Sequence, residues 1–329
     1  MQPLNTNASA SALAELVGEH RRLVVTASLN ANPNDREMDP TEIQPVQVLD
    51  GTSFTPVEWL RHVGASGLSA LTPLTDDRFL VVDEDVIYLA VDRELTPLPI
   101  SFSDLHEVTA DHREVLAANT GTDEIVILDP QALTELRRIR PAVAQTDDPS
   151  SPVDRFHINQ GLRLPSGELA ALAHHVNGRQ LLTRLKSKML KSHGNGGVIG
   201  VEQTRTIPLS LKGPHNVRVL SDGYLVLDSG RSTARRYDRS WTQILEFPTA
   251  AWGRGCAVDE AADLVIIGNS PIRRRYRTAD DDGLVDQPVV EAHRLSSGEV
   301  LGSVPLAGCE QINNVYLFAS DVARLILDD

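Results

Sequence analysis

Three histidines stand at one point of a repeated phrase: His106 in Leu105-His106-Glu107-Val108, His157 in Phe156-His157-Ile158-Asn159 and His215 in Pro214-His215-Asn216-Val217. Gln311 falls in register with them when residues 309–313 are set against residues 155–159. Neutral imidazoles brought together are good ligands for Mn, Fe, Ni or Zn. Three of them with one amide oxygen leave coordination positions open for water or substrate, as catalytic metal sites do. A second polar set follows the phrases: Asn119, the pair His174-His175, Asp228 with Arg231, and Asn269. Asn119, Asp228, Arg231 and Asn269 are expected to orient imidazole N–H groups or to hold substrate hydroxyls. Arg254 takes the histidine position in a further copy of the phrase and suits a carboxylate or phosphate through paired hydrogen bonds. His174 or His175 is the expected base. Adjacent residues on a strand point oppositely, so only one of the two faces the site.

These residues belong to short β segments punctuated by Gly, Asp, Asn and Pro. Strands are expected at Leu23–Ala27, Phe79–Val82, Val86–Val91, Glu124–Leu128, Tyr224–Leu227 and Leu264–Ile267. Asn119 lies thirteen positions beyond His106, and Asp228 thirteen positions beyond His215. A repeat of roughly 40 residues holding four strands is a propeller blade. The expected architecture is therefore an all-β propeller of about six four-stranded blades, near residues 64–100, 104–141, 155–211, 213–248 and 252–307. A sixth blade joins residues 311–318 to N-terminal strands around 22–60 and closes the ring. In such a fold the inner strands open at one mouth of a central channel and the corners after the second strands return there, so both polar sets are expected at that mouth. Residues 1–21 form an N-terminal segment with a short helix, and 22–329 a single domain. Its interruptions are a Pro/Ser/Asp connector at 146–154, a basic insertion at 178–197 and an acidic loop at 278–288.

The formal net charge of −14 argues against nucleic acid and anionic membranes as partners. A hydrophobic content of 41% with 23% charged residues suits a folded chain. No apolar run is long enough to span a bilayer, and the N-terminus lacks the basic start of a secretory signal. Two cysteines, Cys256 and Cys309, make no disulfide framework and read as small buried fillers, so the cytoplasm is the expected location. His20, His62, His112 and His293 read as surface residues. No Gly-rich phosphate loop and no Gly-x-Ser-x-Gly elbow is present.

The phrases around His106, Asn119, His157, His215 and Asp228 resemble those of an uncharacterised family of bacterial six-bladed β-propellers. The set His106, His157, His215 and Gln311 is similar to the manganese site of oligogalacturonate lyases, which use three histidines and a glutamine; the resemblance implies a bound divalent metal ion. The expectation is a metal-dependent propeller enzyme acting on a small polar or anionic substrate. Elimination, isomerisation or cyclisation next to a carbonyl suits such equipment. The alternatives are a non-catalytic propeller that binds a ligand or a protein, and a calcium-dependent lactonase-like hydrolase using Asp228 and the asparagines.

Overall fold

Apolar runs such as Val115-Leu116-Ala117-Ala118 and Leu169–Ala173 show no alternation of apolar and polar residues, and every residue in them is buried. A strand is apolar on both faces when its sheet is packed on both sides. The fourth strands differ: Glu135–Ile139 and Gln243–Pro248 are largely exposed, as edge strands must be. The structure, a computed structural model, describes residues 10–30, 33–74, 77–144, 154–178, 194–272 and 285–327.

Six four-stranded antiparallel sheets result, arranged as the blades of a β-propeller. One joins β24 (Gln311–Ala319) to β1 (Arg21–Ser28), β2 (Val46–Asp50) and β3 (Ser53–Pro56), so the C-terminal strand closes a blade begun by the N-terminus. The others are β4 (Ala70–Pro73), β5 (Phe79–Val82), β6 (Ile87–Val91) and β7 (Glu94–Pro97); β8 (Leu105–Ala110), β9 (Val115–Asn119), β10 (Glu124–Leu128) and β11 (Glu135–Ile139); β12 (Ile158–Arg163), β13 (Leu169–Ala173), β14 (Gly196–Gly200) and β15 (Thr206–Leu211); β16 (His215–Val219), β17 (Gly223–Asp228), β18 (Thr233–Asp238) and β19 (Gln243–Pro248); and β20 (Trp252–Asp259), β21 (Leu264–Ser270), β22 (Val289–Arg294) and β23 (Val300–Pro305). Among the described residues two helices accompany them, α1 (Ala10–Val17) and α2 (Ser320–Arg324). Among the described residues no helix is long and apolar enough to cross a membrane.

The chain divides into two compact units, residues 1–69 with 232–235 and 244–329, and residues 70–231 with 236–243. In the first, Leu13 and Val17 of α1 pack on Leu23, Val25 and Leu49. In the second, consecutive blades are tied by side chains that reach the backbone of a neighbour's first strand. Thr72 Oγ1 donates to Val108 O at 2.6 Å, and Thr120 Oγ1 to Ile158 O at 2.5 Å. Gln160 does both, donating to Val217 O at 3.2 Å and accepting from Val217 N at 2.7 Å. Blade contacts are close here: a Cβ at Gly161 would lie 3.1 Å from Ile125 Cδ1.

Two expectations are corrected. His293 is not a surface residue; it lies on β22 with no exposure, because that strand is covered on both faces. Gly196 and Gly197 belong to β14 and not to an insertion. The connector at 146–153, the basic residues at 179–193 and the acidic stretch at 280–283 lie outside the described residues.

Candidate functional site

Three blades close their corners in the same way. Asn119 Oδ1 accepts the Ser103 N–H at 2.7 Å, Asp228 Oδ1 the Lys212 N–H at 2.6 Å, and Asn269 Oδ1 the Ala251 N–H at 3.5 Å. Each donor sits three residues ahead of the repeated position held by His106, His215 or Arg254. The three acceptors are 0–1% exposed. Arg231 completes one corner, donating from Nη1 to Asp228 Oδ2 at 2.6 Å and to Ser210 O at 2.9 Å. Asn119, Asp228, Arg231 and Asn269 therefore hold blade corners together.

The blade β12–β15 departs from the rule. By register its corner position, opposite Phe156, is His175, and the residue before it, His174, donates its N–H to His157 O at 3.1 Å while its ring Nε2 is shut off from solvent with no hydrogen-bond partner. A buried polar atom without a partner costs stability, and such atoms are rare in folded proteins. Around it stand the three phrase histidines. The His174 ring centre is 4.5 Å from that of His157 and 5.3 Å from that of His215, and His106 is 5.2 Å from His157 and 6.3 Å from His215. His175 turns its backbone into a bridge with Asn195, its ring centre 6.2 Å from that of His174. Burial, helped by the imidazoles of His157, His215, His175 and His106, holds His174 well below the usual histidine range.

Oxygen acceptors fix the tautomers of the other three rings. His157 Nδ1 is 2.8 Å from Asp154 Oδ1, and His215 Nδ1 is 3.1 Å from Gly213 O; both oxygens only accept, so each Nδ1 carries a proton. His106 is the reverse, with Nε2 3.3 Å from Asp104 Oδ1. Ser229 Oγ also lies 3.1 Å from His215 Nδ1 but is wholly buried. The loops that present these rings are tight. Asp104, Asp154, His157 and Asn216 have φ of 55°, 63°, 51° and 44°, a left-handed backbone that costs about 1–3 kcal/mol per non-glycine residue and concentrates at functional sites. Asp123 pays part of that cost for His157, accepting the N–H groups of Arg155, Phe156 and His157 on one carboxylate. Burial keeps the Asp123 carboxyl above the usual range despite those bonds.

Imidazoles bound to one ion through 2.0–2.1 Å bonds have ring centres roughly 4.5–6.5 Å apart, and the four separations above fall in that interval. An imidazole whose far nitrogen is held by a carboxylate or carbonyl is the usual form of a metal ligand. The aim of the donor nitrogens is another matter: among the described residues no group of three or more His, Cys, Asp or Glu side chains is arranged to hold a metal ion. Ring spacing, tautomers and the orphaned Nε2 suit an ion, and turning the rings about χ2, a soft torsion, would be needed to receive one.

Gln311 and Arg254 belong to the first unit. Gln311, 4% exposed, donates from Nε2 to Glu310 O at 2.9 Å. Arg254 donates from Nη1 to Asn313 Oδ1 at 2.8 Å. Cys256 and Cys309 are free and buried, and burial, with Glu310 nearby, pushes the Cys309 thiol up to about 12. Sequence reasoning passed over Asp104 and Asp154, which hold two of the rings. Each precedes its histidine by two or three residues, and that spacing was the available signal.

No family model matches the chain, and no curated protein matches it. The expected likeness to the oligogalacturonate lyase metal site thus finds no support. Solved structures do match. A protein of unknown function from Bacteroides caccae superposes with a TM-score of 0.58 at 11% identity, covering 91% of this chain and 99% of that one. A protein from Lactobacillus plantarum does so with a TM-score of 0.51 at 12% identity, covering 91% and 100%. A chain of the nidogen/laminin complex gives 0.54 at 10% identity, covering 90% and 97%. At such identities the likeness is one of fold, and the fold is a six-bladed β-propeller.

Proposed function

We propose that the protein is a metal-dependent enzyme in which His106, His157, His174 and His215 hold a divalent first-row ion and a small polar or anionic substrate reacts beside them. The observation that carries this reading is the buried, unpartnered Nε2 of His174, set among the imidazoles of His157, His215 and His106. The fourth ligand is thus His174, in place of Gln311. A bound ion supplies Lewis acidity toward a carbonyl, carboxylate or hydroxyl. The chain's own part is to hold four imidazoles at fixed spacing. Asp154 and Gly213 orient the rings of His157 and His215, and Asp104 that of His106. Elimination, isomerisation or cyclisation next to a carbonyl suits this better than hydrolysis through a serine, because Ser229, the hydroxyl beside His215, is out of a substrate's reach.

Elemental analysis tests the reading. Untagged protein purified without chelator is expected to carry about one equivalent of Mn, Fe, Co, Ni or Zn, or to take it up on dialysis. Protein that stays metal-free through dialysis against each of these ions contradicts it and leaves the non-catalytic binding propeller.

A further inference from the structure

Asn159 lies on β12 two residues beyond His157 and is 2% exposed. Its Nδ2 donates at 2.6 Å to the carbonyl of Pro214, the residue before His215. A carbonyl only accepts, so this bond fixes which end of the amide is which. Oδ1 is buried and has no hydrogen-bond partner.

The repeat supplies an internal control. Asn313 holds the same place on β24, two residues beyond Gln311. Its Nδ2 donates to Leu68 O at 2.9 Å, the same bridge from an inner strand to a backbone carbonyl. There Oδ1 is satisfied by Arg254 Nη1 at 2.8 Å. The residue that occupies Arg254's place in the phrase ahead of Asn159 is His106. One bridging amide is therefore saturated by a guanidinium, and its counterpart, between His157 and the loop of His215, keeps a spare acceptor.

From this contrast we infer that Asn159 is a ligand-binding residue whose Oδ1 accepts a hydrogen bond from the hydroxyl of a small ligand seated against the four imidazoles. A hydroxyl fits because it donates to Oδ1 while its oxygen still accepts from a neighbouring group. Sites built around a buried acceptor reject analogues that lack the donor, since the acceptor is then left bare. The inference rests on the site proposed above, and not on the ion it holds.

Glycolate and methoxyacetate, which differ by that one O–H, are the probes, with binding measured by calorimetry on metal-loaded and metal-free protein. The native protein is expected to bind glycolate about tenfold more tightly than methoxyacetate or better. Asn159→Ala should erase the preference. His106→Arg should erase it too while leaving the Pro214 bond intact, and should melt higher than His106→Ala because a guanidinium now meets Oδ1. Failure of glycolate to bind, equal binding of the two probes, or a preference that survives in Asn159→Ala overturns the inference. So does a His106→Arg protein no more stable than His106→Ala. A glycolate preference seen in protein that takes up no metal sinks the metal reading alone, and equal binding in metal-loaded protein sinks this one alone.

Discussion

Replacing His174 by Asn is expected to lower affinity for Co²⁺ or Zn²⁺ by at least about a hundredfold and, in the metal-free protein, to raise stability. The two effects have one cause. In three blades the corner residue accepts a backbone N–H from three residues ahead of the repeated position. In the blade β12–β15 the corner place falls to His175, and His174 beside it leaves its own Nε2 buried without a partner. Asparagine removes the orphaned ring nitrogen, worth about 1–3 kcal/mol if the group is wholly desolvated. It also withdraws one of four imidazoles. A residue kept for packing shows the opposite pattern, with metal affinity unmoved and stability lost. Metal titration followed by calorimetry, with thermal melts of the metal-free protein, reads both effects. The His112→Asn protein is the control for adventitious binding, because His112 is exposed. A variant that binds metal as the native protein does, or melts lower without it, would remove His174 from the site.

Glu291→Ala should cost about 3–5 kcal/mol of folding stability, the usual effect of deleting one member of a buried polar pair. Glu291 is 1% exposed, and its Oε2 accepts the Ala250 N–H at 2.9 Å and lies 3.0 Å from His293 Nε2. Asn269 Nδ2 reaches the same oxygen at 3.4 Å. His293 has no exposure, and its other nitrogen is 3.3 Å from Gly298 O. Without the carboxylate, an amide N–H and an imidazole are stranded inside a blade. Glu291→Gln keeps an acceptor for Ala250 and should lose markedly less. Urea unfolding at constant slope measures both; a loss below about 1 kcal/mol for the alanine variant would mean water replaces the carboxylate.

Much of the fold was legible because a blade packed on both faces leaves unbroken apolar runs, and the phrase around each histidine recurs at the head of a first strand. Phe79–Val82 and Glu124–Leu128 were bounded correctly for that reason. The closing blade was harder, since β1 pairs with β24 from the far end of the chain with a bulge between Thr26 and Ala27, and nothing local specifies that register. The site was partly legible. Repeat position marked His106, His157 and His215, and strand alternation said that only one of His174 and His175 would join them, without saying which. Repeat position also marked Asn119, Asp228 and Asn269, but a side chain that recurs at a corner looks the same whether it faces a ligand or, as these do, a backbone N–H. His293 misled because a third strand's second face is invisible until its neighbour is in place.

X-ray absorption at the cobalt or zinc edge, on protein loaded with one equivalent, tests the central claim most directly. Four imidazole ligands at about 2.0–2.1 Å are predicted, falling to three in His174→Asn. A spectrum without imidazole scattering, or one that His174→Asn leaves unchanged, would contradict the claim.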